Sequence, residues 1–201
     1  MELSNDDEQS PLSRISKIFK EFKFELNETK LRYVVRGIID GSLSTLGVVI
    51  GASGGDSSLI IAAGIGGGIA NGLSNVLGAL TAEKASLERE REIQEKSLLK
   101  ENGYLKKTVF YKKAVHETIV CGFVDGISTM LGSMLPVVPF FVFNPKMAVI
   151  VAIVITLAIL FALGIFIGRI SRENLVIAGL KMVIGGVLVT LVGFAIERIF
   201  G

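Results

Sequence analysis

Tyr33-Val34-Val35-Arg36-Gly37-Ile38-Ile39-Asp40-Gly41-Ser42-Leu43-Ser44-Thr45-Leu46-Gly47-Val48-Val49-Ile50-Gly51-Ala52-Ser53 is the stretch that decides the fold of this chain. Its only charged residues are Arg36 and Asp40, and it matches the ~20 residues a helix needs to cross a hydrocarbon layer of ~30 Å. Four similar stretches follow, at 58–82, 118–143, 147–168 and 174–196. Half of the 201 residues are hydrophobic and the mean hydropathy is +0.60, a bias typical of a chain whose solvent is a bilayer. The expectation is an all-α integral membrane protein with five transmembrane helices and a short cytoplasmic helical insert between helices 2 and 3.

The basic residues orient it. Of the 21 Lys and Arg, all but Lys146 and Arg198 fall within 1–36, 83–117 or 169–181. Basic residues near span ends stay on the cytoplasmic side, so the N-terminus is expected in the cytoplasm and the C-terminus across the membrane. The same reading divides the chain into a cytoplasmic N-terminal segment (1–32), spans 1 and 2 (33–82), the insert (83–117) and spans 3 to 5 (118–201). Within the first segment Ile15, Ile18, Phe19, Phe22 and Leu26 recur at helical spacing among Lys17, Lys20 and Lys23. That pattern suits a helix lying either on the membrane surface or against the protein's own cytoplasmic part. The acidic, polar start has no basic n-region leading to a cleavage site, so no signal peptide is expected. Cys121 is the single cysteine, which excludes an intrachain disulfide and a thiolate metal cluster. The net charge of +2 follows from the topological bias and implies no nucleic-acid partner.

The polar residues of the spans carry an internal repeat. Gly37-x-x-Asp40-Gly41-x-x-x-x-Leu46-Gly47 recurs as Gly122-x-x-Asp125-Gly126-x-x-x-x-Leu131-Gly132. Both copies leave the basic side in the same direction, so the repeat is parallel. An aspartate inside a span costs about 2.5–3.5 kcal/mol on insertion scales, so each needs a partner, a cavity or an ion. The plainer alternative is a helix-end carboxylate at the headgroups, bonded to Ser44 or Thr129 one turn on.

Span 2 has Gly64, Gly68 and Gly72 at four-residue spacing, which lets two backbones approach. Its Asn71 and Asn75 lie one turn apart and point the same way; they serve either interhelical hydrogen bonding or a hard divalent cation, for which an amide oxygen is a ligand. Pro136 and Pro139 interrupt span 3 and free backbone carbonyls, as a kinked packing helix or a gate. In the insert, Glu88, Glu92 and Glu95 share a helical face that can offer oxygen ligands to a cation, or form a solvated surface with Arg89, Arg91 and Lys96. That helix is expected to run to Asn102-Gly103. His116 and Glu117 follow at the start of span 3, where the histidine is either packed or handles protons near Asp125.

These motifs resemble the vacuolar iron transporter family of divalent-metal transporters. Arg32, Gly37, Asp40, Gly41 and Gly47 look like its opening motif; Leu135-Pro136-Val137-Val138-Pro139-Phe140 resembles its L-P-x-x-P segment; and Gly179 through Gly186, with the stretch from Arg198 to the end, resembles its last helix. The resemblance covers about residues 30–201. It implies a homodimer in the membrane lipid that exports Fe2+ or Mn2+ as substrate, by proton antiport, with no bound cofactor and no enzymatic step. The membrane would be the cell membrane of a prokaryote or a eukaryotic vacuole. The metal would pass Asp40, with Asn71, Asn75 and Asp125 nearby, and Glu88, Glu92, Glu95 and Glu117 would make a reduced form of the family's cytoplasmic metal-binding insert. Asn75 stands where the family has a methionine, which replaces a soft ligand by a hard one.

Two other readings compete. An Asp-Gly pair near a span end also suits a metal-dependent phosphatidyltransferase, but the further aspartates of that motif are missing after Asp40-Gly41, where Ser42-Leu43-Ser44-Thr45 follows. The third is a structural membrane protein whose glycine faces serve assembly alone.

Overall fold

The structure, a computed structural model, describes residues 28–200. Up to position 27 the amphipathic segment expected in the N-terminal region lies outside the described residues. Five long helices form: α1 (Glu28–Gly51), α2 (Ser57–Ser97), α3 (Val109–Val137), α4 (Pro145–Ser171) and α5 (Leu175–Phe200). All five contain stretches long and apolar enough to cross a membrane. Helices suit such a solvent because each satisfies its own backbone polar groups without water.

The 41 residues of α2 extend about 62 Å at 1.5 Å per residue, twice the apolar thickness of a bilayer. Its last third, from about Glu83 on, therefore stands outside the apolar layer and forms a helical hairpin with the start of α3. The expectation that this helix runs to Asn102-Gly103 was too long. It stops at Ser97, where the Leu99 amide donates to the Lys96 carbonyl and the Lys100 amide to the Glu95 carbonyl, closing the last turn around a left-handed Leu99 (φ 53°). Gly103 takes its positive φ of 88° inside the following turn instead.

At the opposite end of the bundle Leu46, Val49, Ile50, Ile60, Val137, Phe140, Ala148, Val149 and Ala152 form the apolar core. Pro136 remains within α3 and Pro139 is the second residue of the short 3-10 turn Val138–Phe141, so the pair ends the helix at this core.

Helix α3 is central and shares its most extensive interface with α1. The two run parallel: Gly37 meets the backbone of Asp125 and Thr129, Gly41 meets that of Thr129 and Ser133, and Ser42 donates to the Gly132 carbonyl at 3.2 Å. A Cβ on Gly41 would lie 2.0 Å from the Thr129 carbonyl oxygen, so the crossing exists only because that position is glycine. Helix α2 packs antiparallel on α3 through Gly64 against Val137, Gly68 against Ser133 and Gly72 against Gly126 and Met130. The glycines at four-residue spacing in span 2 are thus spent inside the protomer.

Candidate metal site

These two glycine crossings bring α1, α2 and α3 together around one carboxylate. Asp40 on α1 is half-buried, and its Oδ2 accepts from Asn71 Nδ2 at 3.0 Å and Asn75 Nδ2 at 2.8 Å, both from α2. The second hydrogen of each amide goes to a hydroxyl: Asn71 donates to the exposed Ser44 Oγ and Asn75 to the buried Thr129 Oγ1, both at 2.9 Å. The hydroxyls are fixed in turn. Thr129 donates to the Asp125 carbonyl at 2.9 Å and Ser44 to the Gly41 carbonyl at 3.2 Å. Burying a carboxylate without partners is expensive, and the two amides supply the charge-assisted hydrogen bonds that offset it.

The donors around Asp40 are all oxygen or amide. Rotating the amides of Asn71 and Asn75 replaces NH2 by Oδ1, so the same five side chains can face a cation with carboxylate, amide and hydroxyl oxygens. That is the ligand chemistry of a hard divalent ion. The Ser44 side of the site is exposed.

Asp125, the repeat partner of Asp40, lies in a separate network. It is fully buried, and both of its oxygens are taken by Arg36 of α1, Nε on Oδ1 at 3.2 Å and Nη2 on Oδ2. Removing Arg36 would leave the fully buried Asp125 carboxylate without its charge partner, which is destabilising. Arg36 also stacks on Tyr33, 5.0 Å from the ring centroid, and the Tyr33 hydroxyl donates to Glu83 of α2. Sequence reasoning counted Arg36 only among the basic flank. Its place one turn before Asp40, on a helix that repeats in α3, was the available signal.

The insert carboxylates gather around a base. Arg91, only 4% exposed, pairs with Glu88 at 3.0 Å, Glu92 at 3.7 Å and Glu95. Glu95 is buried and accepts from the Gly103 and Leu105 amides, both at 2.8 Å. Burial pushes its carboxyl up, but the two amides and Arg91 outweigh that and hold it below the usual range. Glu88 is also held down, at about 2, by the Tyr111 hydroxyl first and then Lys106 and Arg91. Glu117 and His116 are exposed on the first turns of α3. Glu117 lines a cavity of about 450 Å3 with Glu83, Lys30, Lys113, Tyr33 and Cys121. Among the described residues no three His, Cys, Asp or Glu side chains are grouped to hold a metal ion. The eight residues expected at a metal site thus separate into Asp40 with Asn71 and Asn75, Asp125 with Arg36, the three glutamates on Arg91, and Glu117 at the cavity.

Residues 31–109 and 98–198 match the VIT family. A relative from Methanocaldococcus jannaschii, itself an uncharacterised protein, is 65% identical over 189 residues, which cover 93% of this chain and 99% of that one. Family members are transporters rather than enzymes, and they are membrane proteins, as the five apolar helices require. The match extends over nearly all of the described helices, and the chain is a multi-pass membrane protein of the vacuolar iron transporter family.

Proposed function

We propose that this protein moves Fe2+ or Mn2+ out of the cytosol in exchange for protons, with Asp40 as the carboxylate that takes either. The observation that carries this reading is the hydrogen-bonded cluster of Asp40, Asn71 and Asn75 inside the helices, 2.8–3.0 Å between heavy atoms. A membrane carboxylate held only by amides keeps an ionisable oxygen for a cation, and amides that can turn supply further oxygen. Asn71 and Asn75 are ligands in this reading, with Ser44 and Thr129 behind them. The oxygen-only donor set favours Mn2+ as much as Fe2+.

The protein works as a homodimer with its N-terminus in the cytoplasm. Support for a second copy comes from the outer face of α2, where Ala62, Gly66, Ala70, Ser74 and Gly78 are exposed and a Cβ on Gly66 or Gly78 would meet nothing within 4 Å. Small residues at this spacing let helices of two protomers approach. The face adjoins Asn71 and the exposed Ser44, so the cation path would run beside it. The basic residues near Lys30, Lys113 and Arg169 support the orientation.

The test is flux. Purified protein in proteoliposomes should carry Mn2+ and Fe2+ and move protons the other way, while folded Asp40→Asn protein should carry neither. Metal flux through Asp40→Asn that still depends on pH would overturn the assignment.

A further inference from the structure

We propose that Asp125 acts in transport as a positioning residue, holding the Arg36 guanidinium away from Asp40. The proposal rests on the reading of Asp40 as the cation's carboxylate. Arg36 and Asp40 are one turn apart on α1, the spacing at which an arginine reaches a carboxylate on its own helix. Arg36 is always charged and presents a planar fork that fits either carboxylate. It therefore has two possible partners, Asp40 on its own helix and Asp125 across the α1–α3 crossing.

The structure shows which partner it takes and why. Asp125 is 0% exposed and offers both oxygens, so the fork closes on it twice, from a side chain that is itself 59% exposed. Asp40 has two amide donors from Asn71 and Asn75 instead. Tyr33 stacks on the guanidinium from its own helix and is itself tied to Glu83 of α2, so the face of Arg36 is held while its fork closes on Asp125. Without the Asp125 charge the guanidinium becomes a tethered cation beside Asp40 and competes with an arriving metal for the same oxygens. A competitor of this kind raises the metal concentration needed for half-maximal flux and leaves the flux at saturating metal in place.

The experiment is Mn2+ flux in proteoliposomes for Asp125→Asn, Arg36→Gln/Asp125→Asn and Arg36→Met/Asp125→Leu, with thermal unfolding in detergent as the check on folding. Asp125→Asn should raise KM for Mn2+ about tenfold with the maximal rate retained. Either double variant should return KM to near the wild-type value, because the competitor is gone. The apolar double variant guards against a folding defect, since it leaves no unpaired charge at the buried Asp125 position and puts apolar side chains in place of the pair. An unchanged KM in Asp125→Asn overturns the proposal. So does a raised KM that persists in the folded double variants, which would make Asp125 itself a cation ligand. A folded Asp40→Asn control that keeps wild-type flux defeats the underlying assignment of Asp40 separately.

Discussion

Asn75 reaches across from α2 to place its Nδ2 2.8 Å from Asp40 Oδ2 and 2.9 Å from Thr129 Oγ1 on α3, donating one hydrogen to each. One side chain thus ties the carboxylate of α1 to the second copy of the repeat, and its amide oxygen is the group that would turn toward a cation. The transport reading makes this residue a determinant of metal choice.

Replacing Asn75 by methionine exchanges an amide oxygen for a thioether. Asn75→Met should raise the ratio of Fe2+ to Mn2+ flux, since the softer sulfur favours the later metal. Competition between the two ions in one proteoliposome assay measures this. An unchanged ratio would place Asn75 outside the coordination sphere.

Glycines divide into those that build the protomer and those free of it. Gly41→Ala sets a methyl 2.0 Å from the Thr129 carbonyl oxygen and must force α1 from α3, at a cost of about 1–3 kcal/mol or more. Thermal unfolding in detergent should show the loss. A Cβ at Gly66 or Gly78 meets nothing within 4 Å, so Gly66→Leu and Gly78→Leu should leave the monomer folded and weaken the proposed dimer. Light scattering of the purified variants distinguishes the outcomes, and an intact dimer in both would move the interface off this face of α2.

The hairpin beyond the membrane should fail in acid. Glu88 is held at about 2 in the folded protein against an ordinary value of 4.5, so its stabilising contribution is complete above about 4.5 and is lost as the pH falls toward 2. Pepsin cleavage within residues 98–108, normalised to an unstructured peptide, should accelerate over that window. Glu88→Gln should already be cleaved fast at its upper edge and respond less to pH. Wild-type resistance that stays constant from 4.5 to 2 would show that the Tyr111 and Lys106 contacts do not hold the hairpin.

Five membrane crossings put the hairpin and the end of α5 on opposite sides. With Cys121 replaced by alanine, a maleimide that cannot cross membranes should reach Leu99→Cys from the cytoplasm and Phe200→Cys only from the other side. Labelling of both from one side would require an even number of crossings.

Much of this architecture is local and was legible in the chain. Whether a helix suits a bilayer depends on the length and polarity of one continuous stretch, so the five spans and their basic flanks could be read residue by residue. The family motifs are equally local, and Asp40 with Asn71 and Asn75 stood out because polar side chains within apolar helices need partners. The repeat marked Asp40 and Asp125 as equivalents. Tertiary packing made them different: Asp40 faces the amides of α2, while Asp125 closes on Arg36, and nothing in the spacing of either motif states that choice. It follows from the rotation and register at which α1 meets α3, which Gly37, Gly41 and Gly132 set by backbone contact. The glutamate stripe of the insert and its i,i+3 and i,i+4 pairing with Arg91 were local too, but the backbone amides that Glu95 accepts depended on the turn after Ser97 that folds Gly103 and Leu105 back onto it. Span number and polarity are properties of single segments; which polar groups meet is a property of pairs of helices, decided where glycine lets their backbones touch.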